Sequence, residues 1–424
     1  MTATLPAEAG IPQDAGLDHT LALLKEGYRF IGNRCERYKT DIFTTRLMAR
    51  SATCVTGEEA ARMFYVPNRF TRQGALPPTA LSLLQDFGSV ATLDGETHRS
   101  RKRMFMSLMT PAAMQRLHDI AAERWRVRTA AWERVAQVVL HDEAERILCE
   151  AVCAWSGIRL SGDEAARRTH EFSAMIDGAG AVGPRFVRGA MLRRRTERWA
   201  QGLIADVRAG RLTPPAGCAL AVIARHEDEP GELLSVDVAA VELINVLRPT
   251  VAVARFVTFA ALSLHQHPQY RDDLAADDDK SLQFVQEVRR FYPFFPMVGG
   301  RALEDFAWRG HHFGKGDWVL LDLYGTNHDA RLWEQPNRFR PERFAGWDGN
   351  PNTLIPQGGG DFYNNHRCAG EWITIGLMQT LLRLLVSETR YSVPRQNMWI
   401  DLSRMPAIPA SRVVLGDARR VAAS

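Results

Sequence analysis

Residues 357–372 read QGGGDFYNNHRCAGEW and run into an apolar stretch over 373–385 that has helical spacing. Cys368 therefore stands immediately before a helix start. His366, Arg367 and the positive end of that helix surround it, and such a setting favours a thiolate. Gly358, Gly359, Gly360 and Gly370 carry no side chains, so the backbone can approach a flat cofactor closely. Taken alone, the segment also fits a Gly-rich turn with an incidental cysteine.

Two upstream segments narrow the choice. Glu287 and Arg290 stand three apart in a helical pattern over 281–292, so they share a face and can pair. Arg343 follows in FRPERF, residues 339–344. Between them the chain turns irregular, broken by Pro293, Pro296, Pro336, Pro341, Pro351 and Pro356. A stretch so long and irregular calls for a functional reason.

With a Glu-x-x-Arg helix, a Pro-x-Arg-Phe turn and a cysteine loop leading into a helix, in that order, the chain resembles the cytochrome P450 superfamily. The match is continuous from about residue 245 to 371. The resemblance implies a mainly α fold with a small β region, the triangular helical haem-thiolate fold, with Cys368 as axial ligand of haem b in a loop at about 356–371. It further implies that Glu287, Arg290 and Arg343 form a buried network holding the irregular segment behind the haem. A buried carboxylate and guanidinium are tolerable only when fully paired, which suits a structural role. The anionic haem propionates need cationic partners. His98 and Lys102, four apart on the helix after Asp94-Gly95, match the superfamily's propionate-contacting helix; Arg72, Arg301 and His366 are further candidates.

Composition agrees with a globular protein: 46% apolar and 24% charged residues over 424 positions. The net charge of +4 is small and the basic residues are scattered, so no nucleic-acid partner is expected. No run approaches a membrane span and the first residues lack a signal-peptide pattern, so the expected location is cytoplasmic, with no transmembrane anchor. The cysteines at 35, 54, 149, 153, 218 and 368 form no metal-binding spacing. Helical patterns cover 58–64, 98–109, 112–127, 163–176, 185–208, 236–265 and 281–292; strand patterns cover 51–55, 306–308 and 318–322. One domain spanning 1–424 is expected.

The long apolar helix over 236–265 carries Arg248-Pro249 near its middle. Proline there removes a backbone donor at a cost of about 3 kcal/mol, and an unpaired guanidinium in apolar surroundings is untenable. No acid stands at positions 244, 245, 251 or 252. A substrate carboxylate suits Arg248, because its planar fork binds both oxygens at once. In oxygen-using members of the superfamily this helix carries an acid followed by a threonine. The Arg-Pro pair instead resembles the fatty-acid peroxygenase branch, as do the stretches at 289–296 and 321–325.

That branch implies hydrogen peroxide as oxidant, a fatty acid as substrate and no obligatory redox partner, with Arg248 and Pro249 in the catalytic role. The substrate carboxylate would serve as the acid–base group for peroxide, and the Cys368 thiolate would donate electron density. Candidate contacts for the apolar tail are Leu76, Leu84, Phe87, Phe294, Phe295 and Val298. Three residues before Asp94-Gly95, where the branch commonly has His in alkene formers and Gln in hydroxylases, this chain has Ala91. A methyl group moves no proton, so hydroxylation at the α carbon is expected over decarboxylation or β attack. A redox-partner-dependent monooxygenase and a non-catalytic haem sensor are the competing functions. Ala369 and Asn364-Asn365 depart from the branch's usual loop residues.

Overall fold

The computed structural model describes residues 10–84 and 88–421. Helices dominate, and they pack around one large apolar cluster built on Trp125, Trp132, Phe172, Phe256 and Phe259. Cys149 and Cys153 are fully buried within it as free thiols, which fits the habit of unpaired cysteine as a small hydrophobe.

A five-stranded sheet lies to one side, in the order Ile42–Leu47, Arg50–Val55, Trp318–Asp322, Met297–Ala302, Phe70–Thr71. Trp318–Asp322 runs parallel to Arg50–Val55, with Leu320 opposite Cys54, and antiparallel to Met297–Ala302, with Leu320 opposite Gly299. The strand Met297–Ala302 escapes a propensity reading because it contains Gly299 and Gly300. Both are needed for close approach: a Cβ on Gly299 would stand 2.3 Å from the Ala75 carbonyl oxygen, and one on Gly300 would stand 2.9 Å from the Phe70 Cβ. A smaller sheet joins Gln137–Val139, Thr389–Ser392 and Val414–Arg420.

Helix starts follow their caps. The helix Asp278–Phe291 begins earlier than the apolar pattern because the Asp277 side chain accepts from the amides of Asp279 and Lys280, at 2.8 and 3.0 Å. The pattern over 236–265 divides in two, Val236–Ala252 and Ala254–Gln266. Pro249 has no N–H for the carbonyl of residue 245 and crowds it. One turn later the Val253 amide bonds the Thr250 carbonyl at 3.2 Å, a tightened turn that re-aims the second helix. Glu227–Glu229 pairs with Glu232–Leu233 in a short antiparallel hairpin.

Candidate functional site

The cysteine loop is held by more hydrogen bonds than its glycines suggest. Gly358 and Gly360 take left-handed φ of +90° and +76°, which lets the chain fold back so that the Gly360 amide meets the Pro351 carbonyl at 3.1 Å and the Cys368 amide meets the Gln357 carbonyl at 3.2 Å. Arg367 turns away from the thiol. Its Nε donates to Glu371 Oε2 at 2.7 Å and its Nη1 to the Gly360 carbonyl at 3.2 Å. Arg289 reaches Glu371 Oε1 at 2.5 Å and Gln357 Oε1 at 3.2 Å, tying the loop to the helix Asp278–Phe291. Asn365 takes up the loop's other end, accepting from the Asp361 amide at 2.8 Å and donating to the Tyr65 carbonyl at 3.0 Å.

With Arg367 committed to Glu371 and the His366 ring set against His98, burial pushes the Cys368 thiol up, assisted by the Glu371 carboxylate; the Gly370 amide, Lys102 and Arg289 oppose it. A coordinated metal would reverse that balance, because a ligating thiol is deprotonated outright.

Beside the loop lies a cluster of basic side chains. The His98 and His366 rings are 4.1 Å apart, the Lys102 ammonium donates to the Arg367 carbonyl, and the Arg72 guanidinium sits over the Phe64 ring. Burial lowers all of them, His98 to about 4, Lys102 to about 8, His366 and Arg72 also downward, and the two histidines are lowered further by the neighbouring Lys102 and Arg72 charges. Among the described residues no carboxylate stands within salt-bridge distance of these four. Such a cluster is what a haem carrying two carboxylates would neutralise, so the residues present fit that group. Arg301 is not brought to the cluster. It lies on the sheet, donating to the Gly74 and Gly316 carbonyls at 3.0 Å each, because its position on Met297–Ala302 turns it toward Trp318 and the turn at residues 314–316.

Glu287 is fully buried and receives Arg290 on both oxygens, at 2.7 and 2.8 Å, with Arg343 Nε at 3.1 Å. The Arg340 amide adds a bond at 2.8 Å, and Arg290 Nη1 donates to the Asn327 carbonyl at 2.8 Å.

Arg248 lies on the helix Val236–Ala252 and is 4% exposed. It donates to the Leu83 carbonyl at 3.1 Å and reaches Asn245 Oδ1 at 3.5 Å. Among the described residues it has no ion pair, and burial, with the Arg193 charge nearby, holds its pKa well below the usual guanidinium range. Arg193, which the sequence reading passed over within an Arg-rich run, shares the Leu83 carbonyl at 3.1 Å. The Thr250 hydroxyl donates back to the Val246 carbonyl at 2.9 Å. Ala91 lies half-buried in the turn Val90–Thr92, whose Val90 amide donates to the buried Glu242 at 2.7 Å. Glu242 pairs with Arg101 at 2.7 Å, a contact no local spacing announces.

Of the tail-contact candidates, Leu84 ends the helix Pro78–Leu84 and Val298 lies in the sheet, both half-buried. Phe294 stacks on Phe256 at 4.3 Å, and Phe295, 37% exposed, meets Phe294 edge-on. Phe87 lies outside the described residues.

A cysteine loop flanked by unneutralised basic groups, on a helical fold of this kind, defines a haem-thiolate protein. The family model for cytochrome P450 matches residues 282–411. Cytochrome P450EX alpha, solved in its wild-type form with myristic acid, is 42% identical with a TM-score of 0.93, covering 97% of this chain and 99% of that one. Cytochrome P450SP alpha, solved in complex with (R)-ibuprophen, is 46% identical with a TM-score of 0.93, covering 95% and 99%. A variant of cytochrome P450 OleT in complex with arachidonic acid is 36% identical with a TM-score of 0.95, covering 97% and 99%. The chain belongs to the cytochrome P450 superfamily, in its fatty-acid peroxygenase branch.

Proposed function

We propose that the protein is a haem-thiolate peroxygenase that hydroxylates long-chain fatty acids at the α carbon, consuming hydrogen peroxide without a redox partner. The observation that carries this reading is Arg248, a buried guanidinium with no ion pair among the described residues. A buried cation of this kind is stabilised when a ligand supplies the missing charge. The molecules bound in the similar solved structures, myristic acid, arachidonic acid and (R)-ibuprophen, are all carboxylic acids.

In this reading haem b is held by Cys368 as axial ligand, with Arg72, His98, Lys102 and His366 as partners for its carboxylates; when bound it supplies the oxidising centre for peroxide. Arg248 orients the substrate carboxylate through its fork. Pro249 contributes no N–H, and Thr250 spends its hydroxyl on Val246, so this segment of the helix offers no proton donor of its own. The carboxylate on Arg248 then moves the peroxide's proton. The anchored end also limits reaction to the first carbons of the chain. Ala91 provides no imidazole for decarboxylation, so the balance is RCH2COOH + H2O2 → RCH(OH)COOH + H2O. Leu84, Phe87, Phe294, Phe295 and Val298 contact the tail.

We take residues 1–424 as one catalytic domain working in the cytoplasm; no described helix is long and apolar enough to cross a membrane. Product analysis by gas chromatography, with purified holoenzyme, a saturated long-chain acid and peroxide, tests the regiochemistry. Mainly 2-hydroxy acid is expected. A terminal alkene as the major product would overturn the role given to Ala91, and a mainly 3-hydroxy product would displace the chain by one carbon.

A further inference from the structure

A polar cleft of about 400 Å3 has a lining that does not include Arg248. Its walls come from the helices Leu140–Trp155, Gly162–Gly178, Pro184–Arg208 and Ala254–Gln266, closed by the segment 404–412. Six arginines line it against three carboxylates, Asp142, Glu145 and Asp177. Each carboxylate has an ion-pair partner, and Glu145 Oε1 is the one buried oxygen of these without a hydrogen bond among the described residues. Asp142 pairs with Arg412 at 2.5 Å and Glu145 with His141 at 3.2 Å. Asp177 alone serves Arg404 at 2.5 Å, Arg255 at 3.4 Å and Arg185 at 3.9 Å.

The cations are left in excess. Arg255 is 2% exposed, and its Nε and Nη1 have no hydrogen-bond acceptor among the described residues. Arg404 Nε and Arg185 Nη1 are in the same condition. Arg188, across the cleft, faces only the His170 ring, at 3.0 Å, and no carboxylate among the described residues. A buried guanidinium with unmet donors carries the desolvation cost of a charge without its compensation. A group with several acceptor oxygens and negative charge would meet these donors together, and planar guanidinium forks match carboxylate and phosphate oxygens two at a time.

We propose that this cleft is an oxyanion-binding site, separate from the one at Arg248, with Arg255 as its floor and Arg188 at its mouth. Its ligand is a small carboxylate or phosphate. The cleft is large enough for either, and its basic excess discriminates against cations and neutral molecules. Arg248 does not line it, so occupancy here does not compete for the fatty-acid anchor.

Isothermal titration calorimetry on the holoenzyme, at constant chloride-balanced ionic strength, tests this with two probes, inorganic phosphate and acetate. With the Arg248 site first saturated by a long-chain fatty acid, one saturable site is expected for at least one probe. Phosphate alone would assign the site to phosphates, acetate alone to carboxylates, and both to oxyanions in general. Arg255→Met, which keeps volume and removes charge, should abolish the heat. Arg188→Ala, at the exposed mouth, should weaken binding at least fivefold and guards against misfolding of the first variant. Arg248→Ala should bind as tightly as the parent. The proposal is overturned by the absence of saturable heat with both probes, which would mean that water alone fills the cleft. It is equally overturned by binding that survives in both Arg255→Met and Arg188→Ala, or by binding lost in Arg248→Ala, which would put the ion in the fatty-acid site.

Discussion

Glu287 and Arg248 are both buried ionic groups on helices of the same fold, and they are treated in opposite ways. Glu287 receives two guanidiniums and a backbone amide, leaving no oxygen unmet. Arg248 donates to one carbonyl and to a distant amide oxygen, and no carboxylate among the described residues pairs with it. Burial penalises both, so only the first arrangement stabilises the fold by itself. On the proposed function, a substrate carboxylate supplies the charge that the second lacks. The difference separates residues that build the scaffold from residues that wait for substrate.

The largest effect should come from breaking the satisfied side. Glu287→Ala strands Arg290 and Arg343 in the core, and losing one partner of such a network costs about 3–5 kcal/mol. Chemical denaturation of the holoenzyme should show that loss or no folded protein at all. A loss below about 1 kcal/mol would mean that the network is dispensable.

The cysteine loop sharpens the same contrast. Its shape rests on Arg367, Glu371, Arg289 and Gln357 rather than on the thiol. Cys368→Ala should therefore stay folded by circular dichroism while its reduced, carbon-monoxide-bound form loses the long-wavelength absorption of thiolate-ligated haem. Retention of that band would remove Cys368 from the ligand position.

Asp322 offers a smaller counterpart to Arg248, an unpaired buried acid. It accepts from the Gly325 amide at 2.7 Å while its second oxygen has no partner, and burial pushes it up to about 7. Its folded pKa lies above the unfolded value near 4. The folded state thus holds an extra proton between about pH 4 and 7, and stability falls as pH rises through that window. Asp322→Asn removes the titration. The variant should gain on the parent by about 1–3 kcal/mol between pH 4 and 8. An equal difference at both pH values would contradict the assignment.

Much of the scaffold was legible because helical periodicity, caps and proline breaks are local signals. The Glu287, Arg290 and Arg343 constellation could be read for the same reason, since two of its members share one helix face. The strand Met297–Ala302 was hidden, because its glycines answer to Ala75 and Phe70, far away in sequence. The position of Arg367 was hidden for a related reason. Sequence proximity put Arg367 beside the sulfur, whereas folding gave that guanidinium to Glu371, four residues on along the helix. Arg301 went to the sheet surface by the same kind of long-range constraint, the register of its strand against Trp318–Asp322. Arg193 and the Arg101–Glu242 pair depend wholly on tertiary packing and leave no mark in local spacing.

The central claim is that Arg248 holds the substrate carboxylate that works on peroxide. Its most direct test is 2-hydroxy acid formed from a saturated long-chain acid and hydrogen peroxide, with no reductase present, by the parent and by Arg248→Ala at matched haem content. The parent should turn over, and the variant should fall by at least about 100-fold, in line with loss of an acid–base group. Equal product from both proteins would contradict the account.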